Sequence, residues 1–220
     1  MSRIVFFDLD RTLLSGDSEV ALVRRLAMRG AVPAQTMAVI LLGYLRYRVA
    51  QGHELSALKQ AILARLLASF SVKELETVAA SVADELLGRL APDGVLALAA
   101  HRAAGDRLVL LSAAVDVIVE PMAKALGVDM VACTRLGREG DRFTGHVVGV
   151  MPLGPGKAAV LREICERYGA DPRRTTAYAD HFSDRHLLEQ VGTAVVINPS
   201  RRLAALARDK GWRIERWREA

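Results

Sequence analysis

A short apolar run that ends in charge constrains this chain from its first residues: Ile4, Val5, Phe6 and Phe7 lead straight into Asp8, Leu9 and Asp10. Such a run reads as a buried strand of a parallel sheet. Side chains alternate along an extended backbone, so Asp8 and Asp10 project to the same side and can converge on one metal ion or one reacting phosphorus. Open parallel sheets bind ligands at the carboxyl ends of their strands, which is where this pair falls. Taken alone, the pair is also explained as a strand end whose aspartates satisfy a turn.

Three later segments extend the pattern. Leu108 to Leu111 ends in Ser112, Gly154-Pro155-Gly156 opens a helical pattern with Lys157 just inside it, and Thr175 to Ala179 ends in Asp180, with Asp184 four residues on. In order, Asp8-Leu9-Asp10-Arg11-Thr12, Leu110-Leu111-Ser112, Lys157 and the stretch from Tyr178 to Leu188 resemble the four motifs of the haloacid dehalogenase (HAD) superfamily. The resemblance covers nearly the whole chain. Each motif is weak by itself and specific only as an ordered set.

Between Thr12 and the next clear strand, near Asp106, lie helical patterns that begin near Asp17, Pro33, Leu55, Ser71 and Pro92. Val20, Ala21, Val23, Leu26 and Ala27 recur at helical spacing, and Ser71 with Glu74 spells a capping box ahead of Leu75, Val78, Val82 and Leu86. Residues 15–91 therefore read as a helical insertion. Residues 1–14 and 92–220 read as an α/β core of alternating strands and helices, which implies a three-layer parallel sheet. Within it, strands are expected at 107–112, 130–133 and 175–179, with a turn-rich pair at 134–137 and 143–150. A helical insertion directly after the first motif resembles the C1 cap of HAD subfamily IB, the branch typified by phosphoserine phosphatase.

The resemblance implies roles. Asp8 is the nucleophile that becomes an aspartyl phosphate, while Asp10 protonates the leaving oxygen and then deprotonates water, so that one hydrolysis becomes two easier displacements. Ser112 hydrogen-bonds a phosphoryl oxygen, and Lys157 neutralises phosphate and holds Asp8. Asp8 and Asp180 ligate Mg²⁺, Asp10 adds its backbone carbonyl, and Asp184 supports Lys157 or a metal-bound water. Charge argues for the ion as well. Asp8, Asp180, Asp184 and a phosphate dianion gather about five negative charges, and unit charges about 4 Å apart interact by about 4 kcal/mol at an effective dielectric of about 20. Lys157 alone cannot offset that, and hard carboxylate oxygens suit Mg²⁺ better than zinc.

Substrate selection is less legible. Arg11 stands where many HAD chains have Gly and phosphoserine phosphatases commonly Ser. Asp17, nine residues after Asp8, matches in spacing a glutamate that reads the substrate ammonium in phosphoserine phosphatases; it is equally explicable as a helix N-cap. The apolar stretch from Ala38 to Val49 reads as bundle core with a basic outer face, the other reading being a wall for a lipidic phosphate.

The 220 residues, 51 % hydrophobic, suffice for one core and one insertion. Cys133 and Cys165 show no disulfide, zinc or redox spacing and read as buried thiols. The first strand begins within a few residues of the start, so no export signal is expected and the expected location is cytoplasmic. The longest apolar stretch, Met37 to Leu45, falls far short of the about 20 residues that span a bilayer, so no stable membrane insertion is expected. Net charge is +5, and basic and aromatic residues mix from Arg201 to Arg218, but Asp209, Glu215 and Glu219 interrupt them. A solvated rim over the last helix is expected there and not a nucleic-acid site. The expectation is a Mg²⁺-dependent phosphomonoesterase acting on a small phosphorylated metabolite, phosphoserine-like among the options. A phosphotransferase or a lipid-phosphate phosphatase built on the same aspartyl phosphate is the alternative, and a binding module without turnover is the third reading. Oligomeric state is not legible.

Overall fold

The computed structural model describes residues 3–30, 42 and 61–219. Seven strands form one sheet: β1 (Ile4–Phe7), β2 (Arg107–Val115), β3 (Met130–Glu139), β4 (Arg142–Val148), β5 (Thr176–Ala179), β6 (Thr193–Ile197) and β7 (Arg213–Glu215). They lie in the order β4-β3-β2-β1-β5-β6-β7, and every neighbouring pair is parallel except β3 with β4. The order reverses between β1 and β5, the position at which an open α/β sheet leaves a crevice at its carboxyl edge.

Alternation along the strands builds three layers. Val5 and Phe7 of β1, with Leu108, Leu110 and Tyr178, face the helices α1 (Ser18–Met28), α2 (Val72–Leu87), α3 (Pro92–Ala103) and α4 (Asp116–Leu126). Ile4 and Phe6, with Val109, Leu111, Ala177 and Ala179, face α5 (Pro155–Arg167), α6 (Arg185–Leu188) and α7 (Arg201–Lys210). Because both faces are covered, all four residues of β1 are buried, which is why the sequence there is apolar without alternation. The register pairs Phe7 with both Leu110 and Tyr178, so the carboxyl ends of β2, β1 and β5 are level, and the Phe7 and Tyr178 rings stack at 4.6 Å.

The chain leaves this core after β1 and returns to it before α3 through one short ladder. Leu14 bridges Leu90 in antiparallel fashion, Ser15 N–H donates to the Arg89 carbonyl (2.9 Å), and Ala91 N–H donates to the Leu13 carbonyl (2.8 Å). Between these crossings α1 and α2 pack together, and α2 also lies against α4. The capping box at the start of α2 is present in both directions: Ser71 accepts from Glu74 N–H, and Glu74 accepts from Ser71 N–H. The helix read from Pro33, the start of the one read from Leu55, and the apolar stretch from Ala38 to Val49 apart from Leu42 lie outside the described residues, while residues 61–67 are helical; the lipid-phosphate reading rested on the apolar stretch.

Several expectations are corrected. The strand expected to stop at Ser112 continues to Val115, with a register shift against β3 between Leu111 and Val115. The strand expected to stop at Cys133 runs on to Glu139 and forms a hairpin with β4, so the sheet carries one antiparallel edge. The turn is confined to Gly140 and Asp141, and Gly140 takes a φ of 57° that suits glycine. At the other edge, Trp212 and Ile214 pack on the α7 side of the sheet. The tail beyond them does not continue over that helix. Trp217 is buried on the opposite face against Tyr178 and α3, and only Gly94 of α3 allows so close an approach, since a Cβ there would meet the indole at 2.8 Å. Cys133 and Cys165 are free and buried as expected; burial pushes the Cys133 thiol up to about 12.

Candidate active site

Three strand ends and one helix start meet at the carboxyl edge of the sheet. Asp8 follows β1 directly, and its N–H continues the ladder to the Tyr178 carbonyl (3.0 Å), which fixes the side chain beside that of Asp180, the residue after β5. Lys157 enters from α5, whose first turn is tight: Gly154 has φ 54°, and a Cβ on Gly156 would collide with the Met151 carbonyl oxygen. The glycines of that loop are thus structural. Lys157 Nζ lies 2.6 Å from Asp8 Oδ1 and 3.0 Å from Asp184 Oδ1, with all three side chains buried. Thr12 Oγ1 sits 3.4 Å from both Asp8 Oδ2 and Asp180 Oδ1.

Oxygens of Asp8, Asp180 and Asp184 all lie within 4.8 Å of one another. Three carboxylates around one ammonium are short of positive charge, and burial and mutual repulsion together raise Asp8 and Asp180. Burial raises Asp8 to about 6, against the attraction of Lys157. Burial also raises Asp180 well above the usual carboxylate range, and Asp8 and Asp184 add to the effect. Burial opposes the Lys157 charge, yet Asp184 and Asp8 outweigh it and hold the ammonium above its ordinary pKa. A set of hard oxygens that lacks one or two positive charges is what a divalent cation such as Mg²⁺ completes. The expected metal set was Asp8, Asp10 and Asp180. Asp10 was expected there through its backbone carbonyl, and its carboxylate stands apart from the oxygen cluster, which Asp184 joins.

Asp10 points instead at the start of α1, where its Oδ1 accepts from Ser18 N–H at 2.7 Å. Burial, followed by the nearby Asp17 charge, raises it to about 7. Ser112 is buried at the register shift of β2, where its Oγ accepts from Ala114 N–H (3.2 Å); bulges of this kind re-aim side chains beside active sites. Asp17 occupies the N-cap position of α1 but makes no side-chain bond to the helix. Its Oδ2 instead accepts from Arg11 Nη2 (2.7 Å) and Nε (3.2 Å). His181 is hydrogen-bonded to Ser183 and its pKa is lowered, chiefly by burial. All of these except Thr12 line a chamber of about 70 Å³, which opens beside a larger vestibule of about 580 Å³ that also reaches Arg11, Asp17, Asp180 and His181.

Sequence reasoning missed Glu19. It is 3 % exposed, lines the chamber, and its Oε1 accepts from Val115 N–H (3.2 Å), which ties α1 to the irregular end of β2 beyond Ser112. In the sequence, an acid in the first turn of a helix looks like an ordinary partner of the helix dipole. His101 was likewise assigned nothing, yet it links Asp106 (2.8 Å) to the Tyr178 hydroxyl (2.9 Å) beneath the site.

Carboxylates grouped at the carboxyl edge of a parallel sheet, with a buried ammonium between them, define an α/β enzyme whose reacting group is a small anion. Comparison with known proteins agrees. Residues 5–189 match the haloacid dehalogenase-like hydrolase family. A phosphoserine phosphatase of Mycobacterium tuberculosis is 32 % identical over 224 aligned positions, an alignment that covers 100 % of this chain and 72 % of that protein. A protein of unknown function from Bordetella pertussis has the same fold with a TM-score of 0.85 at 26 % identity, covering 97 % of this chain and 98 % of that one. A phosphoserine phosphatase captured as a phospho-aspartyl intermediate analogue gives a TM-score of 0.72 at 15 % identity over 97 % and 92 % of the two chains, a likeness of fold alone. The chain belongs to the haloacid dehalogenase-like hydrolases, on their phosphatase branch. No helix among the described residues is long and apolar enough to cross a membrane.

Proposed function

We propose that this protein is a Mg²⁺-dependent phosphomonoesterase that hydrolyses a small, soluble phosphorylated metabolite in the cytoplasm through an aspartyl phosphate on Asp8. The observation that carries the reading is the Asp8–Lys157–Asp184 arrangement, a carboxylate held in place by a buried ammonium at the mouth of the sheet. Asp8 attacks phosphorus, the bond from phosphorus to the leaving oxygen breaks, and Asp10 supplies the proton that the leaving oxygen takes up. A water then attacks the aspartyl phosphate, Asp10 receives its proton, and inorganic phosphate leaves as the Asp8 carboxylate reforms. A carboxyl that titrates near 7 is matched to giving and taking a proton at neutral pH. Ser112 and Lys157 hold phosphoryl oxygens, and Asp184 keeps Lys157 charged and oriented. Mg²⁺, held by Asp8, Asp180 and the Asp10 carbonyl, would neutralise charge that accumulates on the phosphoryl group.

In the same reading, residues 15–91 are a helical cap over the chamber, and residues 1–14 with 92–220 are the core. The ladder between Leu13–Ser15 and Arg89–Ala91 supports that boundary, since exit and return cross there. The test is phosphate release from p-nitrophenyl phosphate with Mg²⁺, with EDTA, and with the Asp8→Asn protein. Turnover that needs both Mg²⁺ and Asp8 is the expected result; turnover in EDTA or in Asp8→Asn overturns the mechanism.

A further inference from the structure

Arg11 is a conformational exception in the middle of the nucleophile loop. Its φ is 61°, in the left-handed region that disfavours side chains with a Cβ, and glycine would hold that backbone about 1 kcal/mol more cheaply. An arginine kept under strain between Asp10 and Thr12 points to a use for its side chain. The guanidinium crosses to Asp17 and places two N–H groups on the single oxygen Oδ2. The Asp17 charge is therefore already met by a fixed cation, and an incoming ammonium would have to compete with it. The pair is also lopsided toward the ligand: 32 % of the Arg11 side chain is exposed against 15 % of that of Asp17.

Volume adds the second half of the argument. The chamber that holds Asp8, Ser112 and Lys157 is about 70 Å³, room for a phosphoryl group and little more, whereas pockets that bury whole small molecules measure about 300–1,000 Å³. Among the described residues, the space that adjoins it and can take more of a substrate is the vestibule of about 580 Å³, and Arg11, Asp17, Asp180 and His181 line both. Of the side chains that line both spaces, Arg11 carries the fixed positive charge. A guanidinium has five N–H donors in a planar fork, a geometry matched to carboxylate and phosphate oxygens.

We propose, on the footing of the phosphomonoesterase reading above, that Arg11 is the specificity-determining residue of this enzyme and that its substrates are phosphomonoesters whose leaving group carries a second anionic group, a carboxylate or another phosphate. Asp17 holds the guanidinium in place and does not read an amine. This replaces the amine-selecting role that spacing suggested for Asp17.

The experiment compares kcat/KM for phosphoglycolate, propanediol bisphosphate, glycerol phosphate and phosphoethanolamine, with p-nitrophenyl phosphate as the generic substrate. The wild-type protein should favour at least one of the two doubly anionic compounds over glycerol phosphate and phosphoethanolamine by about ten-fold or more, and whichever is favoured identifies the second group. Arg11→Gln should collapse that ratio. Arg11→Gly, which fits the φ without strain and so keeps the loop foldable, should collapse it equally, while Arg11→Lys should restore part of it. Preference for phosphoethanolamine, or a ratio that survives in both Gln and Gly variants, overturns the proposal. Turnover of p-nitrophenyl phosphate without any anionic preference overturns it and leaves the phosphatase reading standing; no Mg²⁺-dependent turnover of any compound removes both. A readout apart from turnover is binding to Asp8→Asn by calorimetry, where phosphoglycolate should bind more tightly than phosphoethanolamine, and the reverse order counts against the proposal.

Discussion

Lys157 Nζ and Asp8 Oδ1 meet at 2.6 Å although 149 residues separate them, and neither side chain has appreciable contact with solvent. A buried pair of this kind is held by the whole sheet, because its partners arrive from β1 and from α5 on the layer beneath. Removing one partner strands the other. Lys157→Ala should therefore destabilise the metal-free protein by about 3–5 kcal/mol at pH 8, and by less at pH 6.5, where the carboxylates left behind can protonate. Urea denaturation at the two pH values checks this. Activity should fall further in Lys157→Ala than in Lys157→Arg, and wild-type activity in Lys157→Ala would remove the residue from the site.

Asp8→Asn should fold normally and retain less than about a hundredth of wild-type kcat, since an amide is no nucleophile. Asp10→Asn should lose about 10²- to 10⁴-fold, and more on an alkyl phosphate than on p-nitrophenyl phosphate, whose leaving group needs no proton. An Asp10→Asn enzyme as fast as wild type on the alkyl phosphate would show that the acid–base group lies elsewhere.

Stability of the metal-free protein should rise as pH falls from 8 to 6.5. Asp10 titrates near 7 in the folded protein, and Asp180 is raised as well, so the folded state binds protons that the unfolded chain, with ordinary carboxylates near 3.8, does not. Such groups contribute fully below 3.8, and their contribution is lost as pH climbs through the folded value. Over this window the gain should be about 1 kcal/mol, or about 2–4 °C in Tm. His181, lowered by burial from 6.5, works the other way, beginning at the lower end of the window and growing below it. Saturating Mg²⁺ favours ionised carboxylates and should flatten the trend; thermal scans with and without the ion decide.

Glu19→Ala should leave the buried Val115 N–H without its acceptor and cost about 1–3 kcal/mol. Because that bond anchors the strand segment just past Ser112, kcat/KM should drop as well. Glu19→Gln keeps an acceptor oxygen and should recover both stability and turnover. If the Ala variant matches wild type in urea and in kinetics, Glu19 positions nothing.

What could be read from the sequence is what lies compressed at strand ends. Asp8, Ser112 and Asp180 each close an apolar run and Lys157 follows a glycine-proline turn; each signal is weak alone, and it is their order along the chain, through its resemblance to the HAD motifs, that pointed to all four. What could not be read depends on partners far along the chain. β2 outlasts Ser112 because Thr134 Oγ1 donates to the Ala113 carbonyl (2.6 Å) and Glu19 accepts from Val115, bonds that span 21 and 96 residues. β3 read as two pieces, 130–133 and 134–137, with the joint of the pair at 138–142; a Cβ on Gly137 would run into Thr144 Oγ1 on the facing strand, so this glycine is what lets the two strands stay paired beyond it. Arg11 and Asp17 were each legible as odd residues; that one answers the other required their geometry.

The ladder of Leu13–Ser15 with Arg89–Ala91 has a further consequence for timing. The segments before α1 and after α2 are tied side by side, so a movement of α1 away from the sheet would turn about this ladder. The Ser18 N–H that holds Asp10 and the Glu19 carboxylate that holds Val115 both ride on α1. A movement of α1 would therefore release Asp10 and Val115 together, and in the proposed mechanism it would couple the readiness of the proton donor to the position of that one helix.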